Sequence, residues 1–333
     1  MPPDIRNRQS QCCLVITLVV GLLAALDSAA QENISGSLTA DRIAWSPDGN
    51  KLAFGATWDG DEEIYIANVD GSNLIQITYN ERTDTSVIFS ADGESLIYVS
   101  AIQRDENEAD FDVFTVGIGG GDPKFLYGTA GRSEQWPLLM ADGRLSVSVR
   151  TEPGVIKIMA VDLLSGAEET LIESGTRDGW GSFSRDGKKV VYSSNRIHGG
   201  WTFDIFVANV NGSEDRHLKL FPSSAEGSGS VYPDFFPDGE SFVYRSDKDG
   251  DKRGDNSHYV YDLRTAREER LPRPDGVVLG QPTVSPDGKT IAFSTDYDGL
   301  GAQVITLMDA QTKRGERLIF PKADVQPPPE SLN

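Results

Sequence analysis

Cysteine is nearly absent from this 333-residue chain, because its only two cysteines, Cys12 and Cys13, are adjacent near the N-terminus. The remaining length therefore cannot form internal disulfides or supply a cysteine nucleophile. Histidine is scarce as well, with three residues in the chain. Cysteine and histidine are the side chains that catalytic and transition-metal sites use most often, so the chain has few candidates for such sites.

Recognisable catalytic motifs are also missing. The chain has no G-x-S-x-G, H-E-x-x-H, G-x-x-x-x-G-K-[ST] or C-x-x-C sequence, so it lacks the local signatures of a serine-hydrolase elbow, a zinc protease and a phosphate-binding loop. The glycine run at 117–121 follows a predicted strand and is better explained as a hairpin turn than as a dinucleotide loop. The sequence favours a non-catalytic protein over an enzyme.

Positive charge is in deficit, with 31 lysines and arginines against 51 aspartates and glutamates, a formal net charge of −20. Such acidity repels phosphate backbones, and no basic stripe offsets it, which argues against nucleic-acid binding. A solvated acidic surface that keeps the protein soluble is the simplest explanation.

Long hydrophobic runs are absent, and the longest apolar run covers only Cys12 to Leu26. It is shorter than the roughly 20 residues that span a bilayer. Arg6 and Arg8 precede it and small residues follow it, so residues 1–30 are predicted to be a secretory signal peptide, cleaved before Gln31. An uncleaved anchor is the alternative. Cleavage leaves a thiol-free chain without a membrane span, as expected for a periplasmic or secreted protein.

What the sequence does contain is a repeat marked by an Asp-Gly pair, a dipeptide that favours tight turns between strands. The aspartates recur every 44 to 52 residues, at Asp48, Asp92, Asp142, Asp186, Asp238 and Asp287. An apolar residue lies three positions before each, and an aromatic residue lies six positions after five of them. The third copy is degenerate and is predicted to have a shortened strand after its turn.

A second strand pair follows each turn, which gives four short strands per period. One such unit cannot bury both of its faces and needs neighbours, which is typical of propeller blades. The sequence therefore predicts an all-β fold, a six-bladed β-propeller of four-stranded antiparallel blades over residues 31–320. Residues 321–333 are predicted to form a mobile proline-rich tail, and residues 33–38 are predicted to pair with the last blade and close the ring.

The first repeat reads W-S-P-D-G-x-K-L-A-F, then D-G-D-E-E-I-Y-I-A-N-V-D-G-S-N, then L-I-Q-I-T. This pattern resembles the TolB-type propeller repeat of exported bacterial proteins and extends over residues 39 to 320. The type member of that family has an α/β domain before its propeller, and we expect this chain to have no room for such a domain. The resemblance implies a scaffold that binds another envelope or secreted protein, and we expect the chain to be a monomer.

Stacking the repeats on their Asp-Gly pairs places one residue of every blade at the same depth near the axis. This position, six residues before the aspartate, holds Arg42, Ser86, Trp136, Trp180, Tyr232 and Gln281. Two residues earlier come the acidic residues Asp84, Glu134 and Asp178. Aromatic rings beside charged groups are suited to a peptide or a sugar at the channel mouth. Inter-blade packing of the rings is the alternative, and an extracellular glycan-binding or glycan-cleaving propeller is the competing function.

Metal binding has weaker sequence support. The most pointed ion signal is a candidate calcium loop with aspartates at the alternate positions Asp247, Asp249 and Asp251, followed by Asp255. Lys252, however, replaces the glycine of an EF-hand, and position 258, where an EF-hand has glutamate, is a histidine. A solvated loop explains these residues better. His198, His217 and His258 occupy different repeat positions, so no shared metal centre is predicted, and no cofactor is expected.

Overall fold

The computed structural model describes residues 42–58, 61–103, 109–222, 227–250, 255–273, 277, 279–297 and 302–318. The predicted signal peptide, the segment 33–38, the proline-rich tail and Asp251 lie outside the described residues. Within them the secondary structure is entirely strands and turns, and no helix is long or apolar enough to span a membrane.

The strands form six four-stranded antiparallel sheets, each built from consecutive strands. Blade 1 contains β1 (Ala44–Trp45), β2 (Lys51–Ala56), β3 (Glu63–Asn68) and β4 (Ile75–Gln76); blade 2 contains β5 (Asp84–Phe89), β6 (Ser95–Gln103), β7 (Ala109–Gly117) and β8 (Gly120–Tyr127); blade 3 contains β9 (Ser133–Leu139), β10 (Leu145–Glu152), β11 (Val155–Val161) and β12 (Glu168–Ile172). Blade 4 contains β13 (Asp178–Phe183), β14 (Lys189–Ser194), β15 (Asp204–Asn209) and β16 (Arg216–His217); blade 5 contains β17 (Ser230–Phe235), β18 (Ser241–Ser246), β19 (Ser257–Asp262) and β20 (Arg267–Arg270); blade 6 contains β21 (Thr283–Val284), β22 (Thr290–Tyr297), β23 (Ala302–Asp309) and β24 (Gly315–Leu318). The predicted architecture is confirmed.

The Asp-Gly pairs form the turns between the first two strands of the blades. In the first, Asp48 Oδ1 accepts hydrogen bonds from Ser46 Oγ at 2.6 Å and from the backbone N–H of Asn50 at 3.0 Å. These bonds, the Ser46 bond foremost, lower the pKa of Asp48 to about 2. Gly49 has a φ of 74°, a left-handed conformation that glycine adopts without steric cost.

The aromatic residue six positions after the turn aspartate, present in five repeats, lies in the core. Phe54, Tyr98, Tyr192 and Tyr244 are at most 1% exposed. Separate apolar clusters fill the space between successive blades. A sixth cluster joins residues of blade 1 such as Phe54 to Ala292 and Ile305 of blade 6, so packing between the first and last blades closes the ring.

One local expectation is wrong. The third repeat does not have a shortened strand, because β10 extends over the eight residues Leu145–Glu152 and pairs along its length with β11. The repeat lacks the aromatic marker, but Val147 and Val149 alternate into the core in its place, both fully buried.

Candidate functional site

The axial position in blades 2 to 5 has an unusual backbone. Ser86, Trp136, Trp180 and Tyr232 have φ values of 53°, 48°, 50° and 56°, in the left-handed region. At each of them the innermost strand bulges, since two of its residues oppose one residue of the second strand. Bulky residues rarely adopt this conformation, which costs about 1 to 3 kcal/mol and is concentrated at functional sites. The repeat maintains a strained residue here in four successive blades.

Trp180 contacts both of the other aromatic residues of this set. The Trp180 ring lies 5.1 Å from that of Trp136, at an interplanar angle of 83°, and 5.2 Å from that of Tyr232. Phe203, from the start of blade 4's third strand, contacts the Trp180 ring at 4.6 Å. The three aromatic residues at the axial position are only partly buried. We call Trp136, Trp180 and Tyr232 the aromatic platform.

Polar atoms at the platform lack protein partners. Nε1 of Trp136 and of Trp180 is buried and forms no hydrogen bond within the described part of the chain, and the same holds for Oε1 of Gln281. An indole N–H can only donate, whereas the oxygen of an amide only accepts. Trp136 and Trp180 therefore carry two unpaired donors and Gln281 carries one unpaired acceptor, all three of them buried.

Two arginines lie over aromatic rings in blades 4 and 5. The guanidinium carbon of Arg245 lies 4.7 Å from the centre of the Tyr232 ring, and Nη1 donates to the carbonyl oxygen of Leu279 at 3.3 Å. Arg177 covers the ring of Trp201 at 4.2 Å and donates to the carbonyl oxygen of Gly200 at 3.0 Å. Trp201 is 61% exposed, so a rigidly held aromatic ring projects from a loop of blade 4 two residues before Phe203.

The carboxyl group of Asp234 connects residues of several blades near the axis. Asp234 of blade 5 accepts hydrogen bonds from Ser182 Oγ of blade 4 at 2.9 Å and from the backbone N–H of Val284 of blade 6 at 2.8 Å. Burial raises the pKa of Asp234, although the positive charge of Arg42 of blade 1 acts in the opposite direction. Burial lowers the pKa of Arg42. The predicted residue Arg42 therefore belongs to this axial network.

The three predicted carboxylates lie deeper than the rings. Asp84, Glu134 and Asp178 are all 0% exposed. Asp178 Oδ2 accepts from the backbone N–H of Ser174 at 2.7 Å and Asp84 Oδ2 accepts from Asn80 Nδ2 at 2.7 Å, so both hold the loop that leads into the inner strand. Their contact with a ligand stays a prediction.

The histidines are arranged in a way that their sequence positions did not reveal. His217 Nε2 lies 2.6 Å from Oδ2 of the fully buried Asp204, and His198 Nε2 lies 3.9 Å from the same oxygen. His258 is also buried, where Nε2 is 2.9 Å from the carbonyl oxygen of Gly280, and burial lowers its pKa to about 3. Among the described residues no group of three or more histidine, cysteine or acidic side chains is arranged to hold a metal ion.

The candidate calcium loop has other contacts. Asp247 accepts from the backbone N–H groups of Ser228 at 2.7 Å and Gly229 at 3.0 Å. Asp249 accepts from the Tyr259 hydroxyl at 2.8 Å, and Asp255 forms an ion pair with Arg273. These three aspartates therefore bind protein groups, and the preference for a solvated loop over a calcium site stays an untested prediction.

The fold and these residues define a six-bladed propeller in which aromatic side chains of the innermost strands of blades 3 to 5 lie together. Residues 18–220 match the TolB beta propeller domain, and the chain belongs to that family. The solved TolB of Acinetobacter baumannii is 16% identical, with a TM-score of 0.60, over 83% of this chain and 62% of that one. The chain thus spans less than two thirds of that TolB.

Lyases of the same fold are similar too. A solved oligogalacturonate lyase in complex with manganese is 18% identical, with a TM-score of 0.58, over 85% of this chain and 77% of that chain. The oligogalacturonide lyase of Pectobacterium atrosepticum is 21% identical over 76% of this chain and 84% of its own length. At these identities the structural likeness extends to the fold alone.

Proposed function

We propose that this propeller is an exported, non-catalytic binding protein that holds an extended segment of another envelope or secreted protein at its channel mouth. The observation that carries the proposal is the aromatic platform, in which three adjacent blades keep Trp136, Trp180 and Tyr232 in a strained left-handed conformation. Backbone strain that recurs at one repeat position is better explained by a shared task than by filling space. Membership of the TolB beta propeller domain family is consistent with this role.

The chemistry of the mouth is suited to a polypeptide. Aromatic faces pack against proline, aliphatic or aromatic side chains, while the unpaired Nε1 groups of Trp136 and Trp180 match backbone carbonyl oxygens. The amide oxygen of Gln281 matches a backbone N–H. An extended chain presents alternating donors and acceptors, so it satisfies both kinds of group at once.

Site-specific crosslinking tests the proposal. A photoreactive amino acid is placed at Trp201, an exposed residue two positions before Phe203, which contacts Trp180, and separately at Phe125, which is 58% exposed on the outermost strand of blade 2. In envelope extract we expect position 201 to crosslink to one discrete peptide segment, and this product to disappear in a Trp180→Ala background. Position 125 is the matched control for an exposed aromatic residue. Equal labelling at both positions, or labelling insensitive to Trp180, would refute the proposal.

A second candidate is cleavage or capture of oligogalacturonides. The chain matches 84% of the length of a relative that is an oligogalacturonide lyase. The test incubates the purified protein with oligogalacturonides, with and without Mn²⁺, and follows the ultraviolet absorbance of the unsaturated product. Activity that His217→Ala abolishes would favour the lyase. No product, together with a peptide crosslink at position 201, would favour the binding protein.

A further inference from the structure

Two carboxyl groups meet in the interior between blades 1 and 2. Glu63 begins β3 and Asp84 begins β5, and they are 1% and 0% exposed. A single residue links them: the backbone N–H of Asn80 donates to Glu63 Oε1 at 2.6 Å, and its Nδ2 donates to Asp84 Oδ2 at 2.7 Å. The other oxygen of each group is buried and has no hydrogen-bond partner within the described residues.

A second pair of buried acidic residues lies at the equivalent repeat positions of the next blade interface. By the repeat register, Asp112 of β7 and Glu134 of β9 correspond to Glu63 and Asp84. Asp112 is 5% exposed and Glu134 is 0% exposed, and both carboxylate oxygens of Glu134 lack a partner among the described residues. Two successive interfaces thus bury a pair of acidic groups at the start of an inner strand.

Burial of two like charges favours the protonated form of one of them. Desolvation, followed by the neighbouring charges of Asp84 and Asp61, raises the pKa of Glu63 to about 7. Desolvation and the charge of Asp112 raise the pKa of Glu134 to about 7. Each pair is therefore suited to share one proton under mildly acidic conditions.

Other charged groups around the pairs do not neutralise them. The groups that face the first pair are Asp61, Arg82 and Tyr98, and those that face the second are Tyr127, Arg132 and Glu168. Arg82 is exposed to solvent, and Arg132 forms an ion pair with Glu168 at 2.9 Å. The acidic side chains in and around each pair therefore outnumber the basic ones.

We propose that the pairs Glu63–Asp84 and Asp112–Glu134 each hold one proton in the closed ring, and that losing these protons loosens the inner strands of blades 2 and 3. Glu134 lies two residues before Trp136 in β9. Deprotonation therefore acts on the strand that carries the first ring of the platform. The inference that these protons control ligand binding rests on the proposed function. The inference that they stabilise the fold does not depend on it.

The direction of the effect follows from the raised pKa values. The folded state binds these protons more tightly than the unfolded chain, whose glutamates have the ordinary pKa of 4.5. The stabilisation is complete below about pH 4.5 and is lost as the pH rises to about 7. Above that pH the contribution of the two pairs no longer changes.

Thermal unfolding at pH 5 and pH 8 tests the proposal on the purified protein. The Tm advantage of the original protein over Glu63→Gln/Glu134→Gln, whose amides replace the protonated carboxyls, should be larger at pH 5 than at pH 8 by about 6 °C or more. His258, whose pKa burial lowers to about 3, changes the Tm in the opposite direction in both proteins and cancels in this comparison. Glu94→Gln, an exposed glutamate in the turn of blade 2, is the matched control and should keep the pH dependence of the original protein.

A second measurement does not depend on unfolding. The infrared carbonyl band of protonated carboxyl groups at pH 6 should weaken in each single glutamine variant. A pH dependence unchanged in the double variant, or a band that neither variant alters, would overturn the proposal. So would a Tm at pH 8 that Ca²⁺ restores in the original protein alone, because the pairs would then hold a cation. Loss of peptide crosslinking with these pH results intact would contradict only the proposed function.

Discussion

Replacing Trp180 by glycine should destabilise the protein less than replacing it by alanine. This reverses the usual order in strands, where glycine costs about 0.5 to 1 kcal/mol more than alanine because it is more flexible in the unfolded chain. The reason is the φ of 50° at Trp180. A residue with a Cβ is strained in this region and glycine is not.

The expected magnitudes follow from the contacts. Both variants lose the ring contacts with Trp136, Phe203 and Tyr232, each worth about 0.5 to 1.5 kcal/mol, and together with the lost burial we expect a cost of about 3 kcal/mol. Alanine keeps the backbone strain of about 1 to 2 kcal/mol and glycine relieves it. The flexibility of glycine in the unfolded chain offsets part of this relief, so the glycine variant should be more stable than the alanine variant by about 0.5 to 1 kcal/mol.

Urea denaturation followed by circular dichroism gives the free energies of unfolding. The matched control is Phe114 of β7, a partly buried aromatic residue whose φ is not positive. There the alanine variant should be more stable than the glycine variant by about 0.5 to 1 kcal/mol. If the glycine variant is less stable than the alanine variant at both positions, the left-handed backbone at Trp180 does not strain the protein, and the prediction is wrong.

Three further predictions concern the axis and the loops. Ser86→Gly should stabilise the fold by about 0.5 kcal/mol in urea, because Ser86 shares the left-handed conformation with no ring to lose; a clear loss would contradict this. A double-mutant cycle of Arg42→Met and Asp234→Asn should give a coupling energy above about 1 kcal/mol, since their charges interact near the axis, and additive effects would refute the pairing. Saturating Ca²⁺ should leave the Tm unchanged, because Asp247, Asp249 and Asp255 already bind protein groups; a rise of several degrees that Asp247→Asn removes would establish a calcium site.

The sequence predicted the features that depend on local spacing. Asp-Gly turns recur once per blade and an aromatic residue follows at a fixed distance in five of the six repeats, so counting them was enough to predict six blades. The equal depth of Trp136, Trp180 and Tyr232 followed from the same register, and the rings do contact one another.

Features that depend on loop conformation were not predictable. The left-handed φ of Trp180 carries no sequence signal, because residue type alone argues against it. His198 and His217 meet at Asp204 only because the loop before β15 folds back. Glu134 is acidic and lies near the axis, which suggested a ligand contact, yet its full burial depends on how blade 2 packs against blade 3. In each case long-range packing decides the outcome.

Binding of the crosslinked segment tests the central claim most directly. The segment that position 201 captures is synthesised as a peptide, and its affinity is measured by calorimetry for the original protein and for Trp180→Ala and Phe125→Ala, at a temperature where all three are folded. The account predicts that Trp180→Ala weakens binding by about 2 kcal/mol, roughly 30-fold, while Phe125→Ala changes it less than about 2-fold. Equal affinity of a folded Trp180→Ala protein and the original would contradict the aromatic platform as the binding site.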